Sequence, residues 1–167
     1  MKKQSIRNFL LQTFIVAAVA FILQLIWEYS QCGPFYITDD LTGHTRLMIS
    51  ATFGDMNMSI VLLWMLMFIN KDVNWLIGKW HRHDYMIMVF YALFLSFYFE
   101  IHALHTGRWG YNPDTMPIIP GTPIGWLPVI QLLILFPIIF MVSRKLHIQL
   151  SKRLTSHYNN YPNKIKE

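Results

Sequence analysis

The sequence has few charged residues and one cysteine, and both scarcities narrow the class of protein. Charged residues make up 14% of the 167 residues, whereas a soluble domain usually has about 25%. Because Cys32 is the one cysteine, no intrachain disulfide can form. The sequence also lacks a glycine-rich phosphate loop, a Cys-x-x-Cys pair, a haem-attachment motif and a Ser-His-Asp order. These absences leave no common nucleotide, redox or hydrolase signature.

Long blocks of apolar residues are the main feature of the sequence. Hydrophobic residues make up 54% of the chain and aromatic residues 16%. The blocks predict an all-α polytopic membrane protein with four transmembrane helices, over about residues 9–29, 47–70, 85–104 and 123–142. They form one bundle, followed by a polar, basic tail over residues 143–167 that we expect to be frayed. The length leaves no room for a separate soluble domain.

The net charge of +5 is compatible with binding either nucleic acid or anionic lipid, and its distribution favours a topological explanation. Twelve of the 14 lysines and arginines flank the predicted spans on one side, and only Arg46 and Arg108 lie on the other. This pattern predicts that both termini are cytoplasmic, in a bacterial inner membrane. No nucleic-acid motif is present.

The loops between the predicted spans also contain residues that predict local structure. Gly33 and Pro34 predict a turn in a loop over residues 31–46, which also holds Asp39 and Asp40. Prolines and aromatic residues over 107–123 predict a stiff cap on the outer side, and Thr122 followed by Pro123 predicts the start of the fourth helix.

The first span admits a second interpretation. Basic residues, an apolar run and then Ala18-Val19-Ala20 are compatible with a cleavable signal peptide. The apolar run continues through Trp27, which favours an uncleaved anchor.

Each predicted span carries a carboxylate or an amide at a similar depth in its outer half, where such groups face a protein interior, a partner or a water-filled cavity. The inner half has no comparable groups. We therefore expect the four helices to converge on one polar layer. Its members are Gln24, Glu28, Gln31, Asp55, Asn57, Glu100 and Gln131.

Asp55 and Glu100 are the candidate catalytic residues. Asp55 lies about 12 Å below the outer start of its span, too deep for a short side chain to reach water. It is a candidate proton donor or general acid. The alternative is a structural hydrogen bond to Gln131 or Gln24 on another helix.

Glu28, Gln31, Gln131 and Arg108 are the candidate ligand-binding residues. Gln24, Glu28 and Gln31 share one helical face, so Glu28 and Gln31 could hold an ion, a substrate hydroxyl or a proton. The alternative for Glu28 is a boundary carboxylate facing water. Arg108 could neutralise Glu100 or Asp114, bind an anionic group, or anchor the chain at the interface.

A metal site is a weaker prediction. His102 and His105 lie one helical turn apart after Glu100, but helical phase places Glu100 about 140–160° away from both. We therefore favour boundary histidines over metal ligands, and no cofactor is identified.

Five short runs of the sequence form a recognisable pattern. They are residues 27–36 (WEYSQCGPFY), 54–55 (GD), 107–111 (GRWGY), 116–117 (MP) and 125–131 (GWLPVIQ). This pattern resembles a small family of four-helix bacterial membrane proteins without an assigned activity. The resemblance covers about three spans and both outer loops, and it supports the topology and the choice of site residues. In architecture alone, the chain is similar to the EXPERA sterol-isomerase and ligand-binding group.

These observations predict a small membrane protein whose outer-half pocket binds a membrane lipid or another lipophilic molecule. Acid–base isomerisation or cyclisation is the reaction class that two buried acids would suit. The alternatives are an accessory subunit of a larger membrane complex and a small proton-coupled carrier, which would have to form a homo-oligomer.

Overall fold

Four long helices make up the protein. The structure, a computed structural model, describes residues 3–37 and 41–159. The helices are α1 (Lys3–Phe35), α2 (Leu41–Ile69), α3 (Arg82–His105) and α4 (Trp126–Asn159). All four are long and apolar enough to span a membrane, and the shortest, with 24 residues, reaches about 36 Å. The predicted all-α four-helix bundle is confirmed.

Large apolar side chains cover the outside of the bundle. Phe14, Phe68 and Phe94 are 72%, 83% and 66% exposed. An apolar exterior of this kind suits lipid, which solvates such side chains without the penalty that water imposes.

The helices do not pack equally around the bundle. α1 packs extensively against α2 and α4, and α4 packs against α3, whereas α2 and α3 touch each other much less. We call this loosely packed contact between α2 and α3 the seam. Tyr91 of α3 crosses it by donating a hydrogen bond to the Met58 carbonyl of α2, at 3.1 Å.

One half of the bundle is a close-packed apolar core. It lies toward the α2–α3 connection, an end rich in lysine and arginine that we call the basic end. Trp75 begins a short 3₁₀ turn there (Trp75–Ile77), stacks on Trp80 at 5.3 Å and meets the edge of Phe140 at 5.5 Å. The fully buried side chains around it include Leu62, Leu63, Leu66, Leu76, Phe136 and Ile139.

The opposite end, which we call the cap end, is closed by hydrogen-bonded loops. β1 (Tyr36–Ile37) pairs antiparallel with β2 (Gly110–Tyr111), with Tyr36 opposite Tyr111. The loop 112–125 folds back on itself through a bridge between Ile118 and Gly125. A Cβ on Gly125 would lie 2.7 Å from the buried Met116 sulfur, so glycine permits this close approach.

Several predicted boundaries were wrong. α2 begins at Leu41, inside the loop predicted over residues 31–46, and three further errors concern α1 and α4. α1 continues through Gly33 and Pro34, where we expected a turn, and the burial of Gln31 and Cys32 holds that last turn against the bundle. α4 also continues to Asn159 instead of fraying after residue 143, because Ser143 and His147 are buried. Asp39 and Asp40 lie outside the described residues.

The last of these errors concerns the start of α4, which begins at Trp126 and not at Pro123. The Thr122 hydroxyl accepts a hydrogen bond from the Ile124 amide at 3.2 Å and donates to the Ile119 carbonyl at 3.0 Å. Thr122 therefore closes a turn of the cap, because the Ile118–Gly125 bridge requires an extended chain up to residue 125.

Candidate functional site: a polar cavity under the cap

A cavity of about 120 Å³ lies at the cap end between α2 and α3. All six predicted catalytic and ligand-binding residues line it, and they come from the four helices and the cap. The lining residues Ser50, Phe99 and Arg108 are exposed, so the cavity opens along the seam. The predicted site residues on its wall are Glu28, Gln31, Asp55, Glu100, Arg108 and Gln131.

Gln131 of α4 is the centre of the polar layer. Its Nε2 lies 2.9 Å from Gln24 Oε1, 2.7 Å from Glu28 Oε1 and 2.8 Å from Asp55 Oδ2. Its Oε1 accepts a hydrogen bond from Gln31 Nε2 at 3.1 Å. One amide therefore joins α1, α2 and α4, as the predicted convergence of these helices requires.

The three oxygens around Gln131 Nε2 outnumber the hydrogens available to them. A side-chain amide nitrogen carries two hydrogens, so it can donate fully to two of the three oxygens. The third oxygen is therefore left without a full hydrogen bond from this amide.

Glu100 of α3 occupies a separate part of the cavity wall. Its Oε2 accepts hydrogen bonds from the Tyr111 hydroxyl and from Trp109 Nε1, the latter at 3.3 Å. Burial raises the pKa of Tyr111, and the nearby Glu100 carboxylate raises it further. Tyr111 is therefore a permanent hydrogen-bond donor to Glu100 at neutral pH.

Arg108 lies at the mouth of the cavity. Its Nη2 donates to the Ser50 hydroxyl at 2.7 Å, and its guanidinium stacks on the Trp109 ring at 5.3 Å. Arg108 thus contacts Ser50 and Trp109, and not Glu100 or Asp114, with which the sequence predicted an ion pair. Arg108 bridges the seam from the cap to α2, and it remains exposed.

One residue of the predicted layer lies outside it, and one buried amide was missed. Asn57 is exposed on the outside of α2, because it lies two residues from Asp55 and so faces away from the cavity. The expectation that the inner half has no comparable groups was also wrong. Gln12 is fully buried at the basic end, where its Nε2 donates to the Val73 carbonyl at 3.1 Å.

His102 and His105 do not join Glu100. Both are exposed, whereas Glu100 is 6% exposed and faces the cavity, as helical phase predicted. Within residues 3–37 and 41–159, neither histidine belongs to a cluster of three metal-ligating side chains.

The sequence reasoning assigned no role to Tyr36, Trp109 or Tyr111. Tyr36 lines the cavity, while Trp109 and Tyr111 hold Glu100. Burial raises the pKa of Tyr36 as well, with Glu100 as the next cause. Two-residue strands are too short to show an alternation pattern, so the density of aromatic residues in the cap was the one available signal.

Comparison with known proteins adds no relative. A scan against protein-family models finds no match, and comparisons with curated proteins and with solved structures find none either. The resemblance to four-helix bacterial membrane proteins therefore stays a prediction, and functional argument rests on the geometry of the site.

Proposed function

We propose that this protein binds the polar end of a lipophilic molecule in the cavity under its cap. The observation that carries the proposal is the meeting of Glu28, Asp55 and Glu100 around one cavity at the seam. Carboxyl groups within a membrane span cost free energy, so their presence there is functional by default. A bundle that needed only packing would place apolar side chains at these positions.

The size and position of the cavity favour a ligand that is only partly enclosed. Drug-sized ligands occupy pockets of about 300–1,000 Å³, whereas this cavity holds about 120 Å³. The polar end of the ligand would enter between Ser50 and Phe99, and its apolar remainder would lie along the seam in contact with lipid.

The chemistry of the wall favours a ligand end that donates hydrogen bonds. Oxygen acceptors outnumber donors around Gln131, so a hydroxyl or an ammonium group would supply what the wall lacks. Arg108 at the mouth would hold a carbonyl or an anionic group of the same ligand.

We propose in addition that Glu28 and Asp55, whose oxygens lie 2.7 Å and 2.8 Å from the same Gln131 Nε2, share a proton and carry out an acid–base reaction. A carboxylic acid and a carboxylate side by side can donate and accept a proton in one catalytic cycle. Glu100, held by Tyr111 and Trp109, would act as the second acid–base group across the cavity. Isomerisation or cyclisation of the bound molecule is the reaction class that needs proton transfer alone.

Orientation belongs to the same proposal. Of the 14 basic residues, only Arg46 and Arg108 flank the cap end, which favours cytoplasmic termini. The cavity would then open to the outer leaflet of a bacterial inner membrane.

Native mass spectrometry of the detergent-purified protein tests the proposal. We expect a co-purifying lipid-like molecule that is lost from Asp55→Asn and Glu100→Gln, although neither variant melts at a lower temperature than the wild type. Asn57→Ala is the matched control on the outer face of α2, and it should retain the molecule. A wild type that shows only the mass of its own chain, as the variants do, would contradict the proposal.

The polar layer also supports a second candidate, an accessory subunit of a membrane complex. Gln131 links three helices through hydrogen bonds, which a purely structural network would also do. In that case Asp55→Asn would lower the melting temperature. A proton-coupled carrier would share the acid–base groups and would need a second copy of the chain.

A further inference from the structure

A second group of chemically active side chains lies at the basic end, far along α3 from the cavity. It consists of His81, His83 and Asp84, at the first turn of α3. One ligand atom from each residue lies within 4.8 Å of the others. Among the residues that the structure describes, this is the one cluster of three such side chains.

The distances within the cluster match the spacing of ligands around one metal ion. His83 Nε2 lies 3.4 Å from Asp84 Oδ1, and His81 Nδ1 lies 3.8 Å from Asp84 Oδ2. Both distances exceed a normal hydrogen bond. Ligand atoms about 2.0–2.2 Å from a tetrahedral Zn²⁺ stand roughly 3.3–3.6 Å from one another, so little movement would bring these atoms around an ion.

Asp84 is held as metal-ligating carboxylates usually are. Its side chain is fully buried, and it accepts hydrogen bonds from Asn70 Nδ2 at 2.7 Å and from the His81 backbone amide at 2.6 Å. Each carboxylate oxygen keeps a lone pair for a further partner. Outer partners of this kind orient a ligand and raise its affinity for the metal.

The two imidazoles are open to the solvent. The side chains of His81 and His83 are 57% and 52% exposed, and their rings lie parallel at 5.3 Å. Helix capping by Asp84 explains its bond to the His81 amide, but it does not require two histidines beside the same carboxylate. An ion could reach both nitrogens directly from water.

We propose that His81, His83 and Asp84 bind a divalent transition-metal ion, of which Zn²⁺ is the representative. Water would complete the coordination. Asn70 Oδ1 now lies 3.0 Å from His83 Nε2; metal binding would break this hydrogen bond and leave Asn70 Oδ1 next to the ion. Because Asn70 directly follows α2, the ion would tie the end of α2 to the start of α3. This site is independent of the proposed cavity function.

Coordination to imidazole determines which ions can bind. The positive end of the α3 dipole lies at this turn and disfavours any cation, so charge alone does not hold the ion. Zn²⁺, Ni²⁺ and Cu²⁺ bind imidazole nitrogen, whereas Mg²⁺ and Ca²⁺ prefer oxygen. We therefore expect Zn²⁺ binding that excess Mg²⁺ does not inhibit.

Calorimetric titration of the detergent-purified full chain with ZnCl₂ tests the site, using an affinity tag without histidine. We expect one ion per chain, with the affinity reduced at least about tenfold in His81→Gln and in His83→Gln. Both variants keep the bond between Asp84 and the backbone of residue 81. His102→Gln and His105→Gln, on the exposed end of the same helix, are the matched controls and should bind as the wild type does.

Visible absorption of the Co²⁺-loaded wild type is a second test of metal binding, and it needs no variant. Intense bands of a four-coordinate complex, abolished by added Zn²⁺, would support the site. Absence of Zn²⁺ binding by the wild type would overturn it. Equal affinity of the wild type and the His83→Gln variant, or full competition by Mg²⁺, would overturn it as well.

Discussion

The two halves of the bundle are built from the same four helices but differ in what fills them. Toward the basic end, Phe136, Phe140 and Leu66 pack without exposure in a continuous apolar core. Toward the cap end, Glu28, Asp55 and Gln131 surround a cavity at the seam. The largest apolar core and the polar cavity therefore lie at different levels along the bundle.

This separation shows how a small bundle can tolerate buried acids. Van der Waals packing drives helix association in lipid, and the apolar half supplies it. The cap half adds hydrogen bonds of about 0.6 kcal/mol each, too weak to assemble the helices alone. We infer that the apolar half stabilises the fold while the polar half is free to bind.

The largest expected effect comes from breaking the apolar half. Phe136→Ala should lower the free energy of unfolding by about 3 kcal/mol, the low end of the range for such truncations, because it opens a cavity among fully buried side chains. Unfolding in mixed micelles measures the loss. Phe94→Ala, at a position 66% exposed on the outside of the bundle, is the control and should cost far less. Equal losses would contradict the division between the halves.

Substitution of one buried glutamine in each half tests the comparison between the halves directly. Gln131→Leu should cost about 1–2 kcal/mol, because it leaves Glu28 and Asp55 without their amide donor. Gln12→Leu, at the basic end, should cost less, since Gln12 Oε1 has no partner among the described residues. The same unfolding measurement applies, and a larger loss for Gln12→Leu would show that the polar layer is not centred on Gln131.

Asp55→Asn should act in the opposite direction on stability. The change replaces one of three competing oxygen acceptors by a group that can also donate, so we expect stabilisation of about 0.5–1.5 kcal/mol. Ligand retention should fall at the same time, the usual conflict between stability and function at a site. Thermal melting with mass spectrometry measures both, and destabilisation by more than about 1 kcal/mol would favour the accessory-subunit alternative.

The smallest expected effect concerns the cap. Burial raises the pKa of Tyr111 above the ordinary tyrosine value of about 10, so the folded state favours the neutral phenol. Its contribution to stability is complete below about pH 10 and declines as the pH rises above it. Spectrophotometric titration should show more than one late-titrating tyrosine, because burial raises the pKa of Tyr36 as well, and Tyr111→Phe should remove one of them.

If Tyr111→Phe left the number of late-titrating groups unchanged, the assigned burial of Tyr111 and its hydrogen bond to Glu100 would be wrong. The loss of this bond should reduce stability by about 1 kcal/mol or less.

Much of the site could be predicted from the sequence, and the predictions that were wrong or missing have physical causes. Helical phase placed Gln24, Glu28 and Gln31 on one face, and all three are buried there. The same reasoning did not reject Asn57, because depth alone cannot separate a lipid-facing residue from a core residue. His81, His83 and Asp84 adjoin in the sequence, yet they went unnoticed because the buried state of Asp84 depends on Asn70, fourteen residues earlier.

The sequence by itself determined the number of helices and the end of the bundle that carries the acids, because hydropathy and helical periodicity are local properties of the chain. Only the tertiary structure decided that one amide, Gln131, joins the helices and that Tyr111 and Trp109 hold Glu100. It also decided that the cavity opens between α2 and α3. These features depend on side-chain contacts between residues as far apart as Gln31 and Gln131, and such contacts arise from packing, which no local pattern records.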